Sequence, residues 1–334
     1  MKAVVLETTG GPEELQIKDV PTPEPAAGEV RVKLEHSALN RRDYWLTVGR
    51  YPGAQLPGIA GSDGVGVVDA AGAGVDAALI GKRVVVYPAR EWGDRQEAFG
   101  PDFRVLGIPD QGTFAEYICA PASDVYDQPQ HLSSEQAAAV PLGGLTAWRA
   151  VVTQGGVSAG QKVLVTGAGS GVSTFAILWA ANLGAEVWVT SGSAEKIKKA
   201  KGIGATDGIS YQETDFHKKL KKATGGFDVV IDSAGGEAMN AVLDTLKEAG
   251  RYVFFGATMG DSPVGLQMIK LFFRHIRIQG TTMGSNQEFA AMLDFVAKKK
   301  IEPVIDRVMP LDEAVAAHKL LEGFSQTGKI VLQH

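Results

Sequence analysis

The sequence predicts an α/β protein in which a β-rich domain is joined to a domain built on a doubly wound parallel sheet. Short β-like runs separated by glycine and proline fill residues 1–125, which is typical of a barrel-like β domain. From about residue 126 to 285, apolar strand patterns alternate with helical patterns. Such alternation indicates parallel strands that are covered by helices on both faces. The length of 334 residues is enough for about two domains.

In the first domain, the period-2 runs predict strands at residues 2–7, 29–39, 64–72, 82–88 and 113–120. The tail carries two helical patterns, at residues 286–300 and 311–323, and a final strand at 328–334. We expect this tail to rejoin the first domain. The predicted domains are therefore residues 1–125 with 286–334, and residues 126–285.

In the second domain, Ser133 is an N-cap candidate that begins a helical stretch. Strands are predicted at residues 161–167, 185–191, 208–211, 227–235 and 251–257. Helices are predicted between them at residues 172–184, 194–204, 214–225 and 238–250.

Composition and charge exclude several classes of protein. The formal net charge is −5 and the pI is near 5.8, so no basic surface predicts a nucleic-acid partner. The single cysteine, Cys119, allows no disulfide framework. No signal-peptide pattern opens the chain, and no apolar run reaches about 18 residues. We therefore expect a cytoplasmic protein without a membrane segment.

A glycine-rich turn stands between the strand at 161–167 and the helix that follows it. Gly167, Gly169 and Gly171 do not complete a G-x-G-x-x-G pattern, because Val172 and Thr174 occupy the two positions where a third glycine would fall. The first turn of a helix nevertheless suits a pyrophosphate. The candidate cofactor contacts of this turn are Gly169, Ser170, Gly171 and Val172.

The end of the next strand indicates which dinucleotide binds. An NAD site usually has an acidic residue there for the ribose diol, whereas Glu186 stands at the strand's beginning. The end offers hydroxyls and a lysine that suit a 2′-phosphate, so NADP(H) is predicted in preference to NAD. The candidate contacts are Ser191, Gly192, Ser193, Lys196 and Tyr211.

An ordered set of motifs runs along nearly the whole chain: "GGPEELQIKDVPTPEPAAGEVRVKL", "ALNRRDYW", "LPGIAGSDGVGVV", "GTFAEY", "AAAVPLGGLTAW", "VLVTGAGSGVS" and "GKIVL". With this set the chain resembles the medium-chain dehydrogenase/reductase superfamily, in its quinone oxidoreductase (zeta-crystallin-like) branch and beside the zinc-type alcohol dehydrogenase-like proteins. The resemblance implies a GroES-like catalytic domain and a Rossmann domain that binds NADP(H). Ser173 replaces the last glycine of the branch's glycine loop.

The resemblance also raises the question of zinc. In the zinc-dependent branch a Cys, a His and a later Cys or Asp hold a catalytic metal. Here Ala38, Ser62 with Asp63, and Leu142 stand near those positions, and the cysteines of the structural zinc lobe are absent from residues 89–107. Zinc requires three or four N, S or O ligands. We therefore expect no metal site.

The resemblance implies further roles near the nicotinamide and the acceptor. Asn40 is expected to bind the cofactor or polarise an acceptor oxygen, and Asp43 to fix its loop, with capping of a short helix as the alternative for both. Tyr44 and Tyr51 are expected to line an aromatic acceptor pocket, with packing of a loop as the alternative. The remaining cofactor candidates are Thr146, Phe255, Gly256, Ala257, Thr281, Thr282 and Met283.

Without a metal, reduction of quinones or α,β-unsaturated carbonyl compounds is the leading prediction, because their charge is delocalised and hydrogen bonds can stabilise it. Two alternatives remain open: an NADP-dependent alcohol dehydrogenase or carbonyl reductase, and a nucleotide-binding sensor or structural protein with little catalysis. The apolar segment 262–280 predicts a homodimer, as in the superfamily, with an interior strand as the alternative.

Overall fold

The computed structural model describes residues 1–260 and 265–334. In the described residues, strands are β1 (Lys2–Leu6), β2 (Leu15–Asp19), β3 (Glu29–Ala38), β4 (Gly58–Ile59), β5 (Asp63–Ala71), β6 (Arg83–Val86), β7 (Ala89–Arg90), β8 (Arg104–Val105), β9 (Tyr117–Pro121), β10 (Val125–Asp127), β11 (Lys162–Val165), β12 (Glu186–Ser191), β13 (Ala205–Ser210), β14 (Phe227–Asp232), β15 (Leu246–Phe254), β16 (Arg277–Gly280), β17 (Ile305–Pro310) and β18 (Lys329–Gln333).

The helices of the same residues are α1 (Arg41–Thr47), α2 (Ser134–Ala139), α3 (Pro141–Trp148), α4 (Gly171–Asn182), α5 (Ala194–Gly202), α6 (Phe216–Thr224), α7 (Met239–Leu243), α8 (Met268–Phe273), α9 (Asn286–Lys299) and α10 (Ala314–Glu322). A π-helical turn (Arg149–Gln154) follows α3. The mixed α/β class predicted from the sequence is confirmed.

The chain forms two compact units, residues 1–143 with 285–334 and residues 144–284. Residues 126–143, which the sequence pattern assigned to the second domain, lie in the first unit. The physical reason is the packing of α2 on β3, β5 and β18. Three consecutive alanines, Ala137–Ala139, are buried there, and their small side chains let the helix approach the sheet closely.

In the first unit, the ten-residue strand β3 forms the centre of the largest sheet. The sheet order is β10-β6-β5-β3-β18-β17, and β9 pairs with β3 as well. Along β3 the side chains of Val30, Val32 and Leu34 are buried, with less buried residues between them. This period of two is the pattern of a strand with one face on a core. The ends of β3 and β5 lie side by side, with Ala38 opposite Asp63.

The second unit is a parallel sheet of six strands in the order β13-β12-β11-β14-β15-β16. The chain runs outward from β11 to β12 and β13, then returns to β14 on the other side of β11. This reversal creates a topological switch point, where open α/β sheets bind ligands outside the carboxyl ends of the strands. The inner strands are apolar because helices cover both faces, and Val163, Leu164 and Val165 are fully buried.

One predicted helix, at residues 238–250, is wrong over its second half. The helix α7 ends at Leu243, and the chain enters β15 at Leu246. Leu246 is fully buried and pairs with Phe227 of β14. Tertiary burial in the sheet therefore overrides the helix-forming residues of "LKEAG".

Among the residues that the structure describes, none of the helices has the length and apolar character needed to cross a membrane.

Candidate functional site

The glycine turn of the second unit joins β11 to α4. Gly167 has φ +65° and Gly169 has φ +113°, conformations that L residues with side chains rarely adopt. Ser170 caps α4, since its hydroxyl accepts a hydrogen bond from Ser173 N. The first backbone N–H groups of an α-helix lack partners within the helix. This turn therefore fits a pyrophosphate, which needs a tight approach to backbone donors.

Ser173, which stands in place of the last glycine, ties α4 to β11. Its side chain is fully buried, and its Oγ lies 2.9 Å from Thr166 O, to which it donates. Ser170 Oγ lies 2.8 Å from Ser173 Oγ. A glycine at this position would let the backbones of helix and strand pack directly on each other. The Ser173 side chain instead joins them through hydrogen bonds.

The end of β12 is bonded to the glycine turn. Ala168 N donates to Thr190 O at 2.9 Å, and Ser191 Oγ donates to Ala168 O at 3.2 Å. Ser193 caps α5 by accepting a hydrogen bond from Lys196 N. The structure thus brings together the candidate residues of the turn and of the end of β12.

Lys196 and Tyr211 lie over the two glycines of this region. A methyl group on Gly169 would lie 2.6 Å from Lys196 Cδ, so the lysine stem crosses the glycine turn. A methyl group on Gly192 would lie 2.6 Å from Tyr211 Oη. Glu186 lies at the opposite end of β12 and bonds Trp188. The described end of β12 therefore carries hydroxyls, and Lys196 of the following helix brings a cationic side chain to the glycine turn; both groups suit a phosphate.

A buried carboxylate, Asp232, lies at the switch point beside this turn. It accepts hydrogen bonds from Thr166 Oγ1 and Tyr252 Oη, and from the backbone N–H groups of Ala234 and Gly235 at 3.2 and 2.9 Å. Burial and the neighbouring Asp232 carboxylate raise the pKa of Tyr252. Asp232 therefore fixes the ends of β11, β14 and β15 relative to one another.

The other cofactor candidates lie along the same sheet edge or near it. Phe255 N donates to Asp232 O, and Thr281 N donates to Phe254 O. The described residues offer no hydrogen-bond partner to the buried Thr281 Oγ1. Their positions are as follows: Phe255, Gly256 and Ala257 follow β15, Thr281, Thr282 and Met283 follow β16, and Thr146 is buried in α3.

In the first unit, Asn40 belongs to a buried polar cluster. Its Nδ2 donates to Asp63 Oδ2 at 2.9 Å, and its Oδ1 accepts from Lys329 Nζ at 2.6 Å. Lys329 Nζ also donates to Asp63 Oδ2 at 2.8 Å. Asn40 is 6% exposed, Lys329 3% and Asp63 fully buried. Asn40 is also the N-cap residue of α1, so the same residue begins this helix and takes part in the polar cluster.

Asp63 lies among the positions that the zinc branch uses for metal ligands. Its Oδ1 accepts from Leu142 N at 2.8 Å, and Ala38 is its neighbour across β3 and β5. Ser62 Oγ donates to Leu106 O at 2.7 Å. The positions meet in space, but both oxygens of the one carboxylate are occupied by hydrogen-bond donors. Among residues 1–260 and 265–334, no group of three or more His, Cys, Asp or Glu could hold a metal ion.

Arg42 holds the loop that follows β8. Its guanidinium donates to Ser62 Oγ at 2.9 Å and to the carbonyl oxygens of Leu106 and Gly107 at 2.7 and 2.9 Å. The Tyr51 ring lies 4.6 Å from the guanidinium carbon. Tyr51 therefore packs on a buried cation, which corresponds to the packing alternative for this residue.

Asp43 closes the first turn of α1. Its Oδ2 accepts from Asn40 N at 2.7 Å, and its Oδ1 lies 3.6 Å from Arg42 Nη1. Burial raises the pKa of Asp43 to about 6, opposed by the nearby Arg42. The bond from Asn40 N to Asp43 is one half of a capping box between Asn40 and Asp43, which corresponds to the capping alternative for both residues.

Tyr44 and Arg41 form a second group on α1. Tyr44 Oη donates to Glu322 Oε1 at 3.0 Å. The Arg41 guanidinium lies 3.9 Å from the Phe324 ring and 5.7 Å from the Tyr44 ring, and burial lowers its pKa to about 10. Tyr44 is therefore held by contacts with the C-terminal segment.

Sequence reasoning missed two buried charges. Lys329 stands in the motif "GKIVL" but was given no role, because nothing local marks a lysine at the start of a strand as buried. Asp232 ends an apolar strand in "FDVVIDSAG", and its position at a strand's carboxyl end was the available signal.

The comparisons with known proteins agree with this architecture. Residues 26–130 match the family described as the alcohol dehydrogenase GroES-like domain, and residues 171–298 match the zinc-binding dehydrogenase family. The chain is 36% identical to the "zinc-type alcohol dehydrogenase-like protein YogA" of Leptosphaeria maculans, over 96% of this chain and 94% of that one.

Two further similarities point to oxidoreductases. Identity to "Quinone oxidoreductase 1" of Escherichia coli is 31%, over 97% of this chain and 96% of that protein. A crystal structure named as an NAD-dependent alcohol dehydrogenase is 39% identical, with a TM-score of 0.94 and full coverage of both chains.

The raised pKa of Asp43 predicts a pH dependence of stability. The folded protein keeps this proton up to about pH 6, whereas the unfolded chain releases it near 3.8. The Asp43 contribution to the free energy of unfolding should therefore fall as the pH rises through this window. Relative to Asp43→Asn, which cannot ionise, the wild type should lose roughly 2 to 2.5 kcal/mol between pH 4 and 7.

Urea unfolding of both proteins across this pH range measures the difference. The asparagine retains an oxygen for the bond from Asn40 N. A difference that stays constant, or that rises with pH, would contradict the assignment.

Proposed function

The chain belongs to the medium-chain dehydrogenase/reductase superfamily, and within it we propose a zinc-independent, NADPH-dependent oxidoreductase that reduces quinones or α,β-unsaturated carbonyl compounds. The observation that carries this proposal is the Asn40–Asp63–Lys329 cluster. Its Asp63 stands with Ser62 at one of the metal-ligand positions and accepts a hydrogen bond from the backbone of another, Leu142. A hydrogen-bonded cluster stabilises the delocalised charge of an enolate or hydroquinone more readily than the localised charge of an alkoxide, which zinc stabilises in metal-dependent enzymes.

The preference for NADPH is supported by the end of β12. NADPH supplies a hydride when it is bound. Ser191, Ser193 and Tyr211 supply hydroxyls at and beside the end of β12, Gly192 lies between the two serines, and Lys196 in the first turn of α5 supplies a cation for a 2′-phosphate. Gly169, Ser170, Gly171 and Val172 suit the pyrophosphate. One similar structure is named NAD-dependent, so the cofactor preference of this chain requires its own measurement.

Roles for the remaining candidates are part of the same proposal. Thr146, Phe255, Gly256, Ala257, Thr281, Thr282 and Met283 contact the dinucleotide. Asn40 binds the acceptor, while Asp43 and Tyr51 support its loop and Tyr44 borders the acceptor. Alcohol dehydrogenase activity is the second candidate, because two similar proteins carry that name.

A homodimer is also proposed, formed through α8 and β16. Strand β16 is at the edge of the sheet, and Met268, Ile269, Phe272 and Phe273 are between 60 and 72% exposed. Clustered apolar side chains beside the edge strand of a sheet are typical of an interaction surface. Residues 262–264 of the predicted dimer segment lie outside the described residues.

Lys196→Ala should weaken the binding of NADPH and leave that of NADH almost unchanged. Loss of a charged hydrogen bond to phosphate removes about 1.5–3 kcal/mol, which corresponds to roughly a 10- to 100-fold rise in Kd. Fluorescence titration at fixed ionic strength measures both dissociation constants. Lys199→Ala on the same helix is the matched control, since Lys199 pairs with Glu195. Equal affinities of the wild type for NADPH and NADH would refute the preference.

Acceptor specificity is tested by following NADPH oxidation with quinones, enones, ketones and aldehydes. We expect kcat/KM for the best quinone or enone to exceed that for simple ketones and aldehydes by at least about 100-fold, or about 2.7 kcal/mol in transition-state stabilisation. Faster turnover of simple ketones would favour the alcohol dehydrogenase alternative. Tight NADPH binding without turnover of any acceptor would favour the sensor alternative.

The dimer proposal predicts that Phe273→Glu sediments as a monomer, because a charge would be buried at the interface. Analytical ultracentrifugation of wild type and variant is the measurement. Ile80→Glu, at an exposed apolar position of the first unit, should remain dimeric. A monomeric wild type would exclude the proposal.

A further inference from the structure

Lys329 is a buried cation at the beginning of β18. Its side chain is 3% exposed and its ion-pair partner Asp63 is fully buried, with 2.8 Å between Nζ and Oδ2. Lysine is almost never fully buried unless it is paired. The second bond of this ammonium group, to Asn40 Oδ1, is shorter, at 2.6 Å. A lysine 289 positions away in the chain therefore contacts the proposed acceptor-binding residue.

The two partners fix the orientation of the Asn40 carboxamide. An ammonium group can only donate hydrogen bonds, so it faces Oδ1, and an ionised carboxylate can only accept them, so it faces Nδ2. A flipped amide would place its NH₂ group against the ammonium and its oxygen against the carboxylate. Both contacts would then be repulsive, and the buried charges would lose their hydrogen bonds.

The fixed orientation determines what Asn40 offers to a ligand. One N–H of Nδ2 is used by Asp63, which leaves the second N–H as a donor. The positive charge on the oxygen side withdraws electron density from the amide, which strengthens this donor. An oxygen that becomes negative in the reaction is stabilised by such a preorganised donor.

We propose that Lys329 is a positioning residue that, together with Asp63, locks Asn40 with its second Nδ2 N–H as the hydrogen-bond donor to the acceptor oxygen. The donor role rests on the proposed function. The locking of the amide concerns the protein alone and is measured without an acceptor.

Charge balance determines which variants are informative. Removing Lys329 alone would leave Asp63 buried without its cation, which strongly destabilises a protein. The double variant Lys329→Met with Asp63→Asn removes both charges, and replacement of a complete buried pair is often tolerated. Lys247→Met with Asp228→Asn, a more exposed ion pair of 2.9 Å in the second unit, is the control for removal of an ion pair outside the cluster. Circular dichroism and thermal melting verify the fold of each variant.

The kinetic test is a cycle of three proteins beside the wild type: Asn40→Ala, the Lys329/Asp63 double variant, and the triple variant that combines them. Each of the first two should lower kcat by on the order of 100-fold, the usual loss for one oxyanion donor. The triple variant should lose no more than Asn40→Ala, because Lys329 acts through Asn40. The Kd for NADPH should stay within about threefold of the wild-type value in all three variants, a change of less than about 1 kcal/mol, because the proposed dinucleotide contacts do not include the substituted residues.

Multiplicative losses in the triple variant, or an unchanged kcat in a folded double variant, would overturn the inference. The Lys247/Asp228 control should keep the wild-type kcat.

The second readout is NMR of the Asn40 side-chain amide, assigned by its disappearance in Asn40→Ala. In the wild type we expect two separate proton resonances, with the one bonded to Asp63 shifted downfield, and both should move in the Lys329/Asp63 double variant. An Asn40 amide that is unaffected by the double variant would refute the locking even if no acceptor is turned over. A locked amide in a protein that reduces no acceptor would instead contradict the proposed function alone.

Discussion

The buried ion pair between Asp63 and Lys329 is the constraint on which the first unit's site depends. It joins the start of β5 to the start of β18, and the same carboxylate binds Asn40 and the backbone of Leu142. Because a buried charge without a partner costs several kcal/mol, these segments must meet within hydrogen-bond distance. The orientation of Asn40 and the start of α1 follow from that requirement.

In the second unit, a buried carboxylate is stabilised by neutral hydrogen-bond donors instead of by a cation. The Asp232 carboxylate accepts bonds from two hydroxyls and two backbone N–H groups, so the ends of β11, β14 and β15 are held in register. Ser173 adds a bond from α4 to Thr166. The hydrogen bonds of Asp232 and Ser173 therefore stabilise the glycine turn that suits a pyrophosphate. The bonds of the Ser173 side chain compensate for the glycine that is absent from this position.

Local patterns in the sequence were sufficient for most of the architecture. The alternation of apolar strands and capped helices predicted β11, α4, β12 and α5, because each element is specified by its own period and caps. Local patterns were insufficient where contacts between residues distant in the sequence determine the structure. Leu246 enters the sheet against a helical pattern because Phe227 pairs with it, and residues 126–143 pack on strands from both ends of the chain. Ala38, Ser62 and Leu142 stand where the zinc branch has metal ligands, so the sequence predicted that no metal binds there. The lysine that contacts Asp63 became evident only from the fold.

Under the proposed function, the Asn40–Asp63–Lys329 cluster stabilises the negative charge that a metal stabilises in zinc-dependent enzymes. The most direct test is the NADPH-dependent reduction of an enone by protein treated exhaustively with a chelator, with zinc measured by elemental analysis before and after. We expect substoichiometric zinc in the purified protein and an unchanged kcat after treatment. Stoichiometric zinc, or activity that is lost on chelation and restored by Zn²⁺, would contradict it.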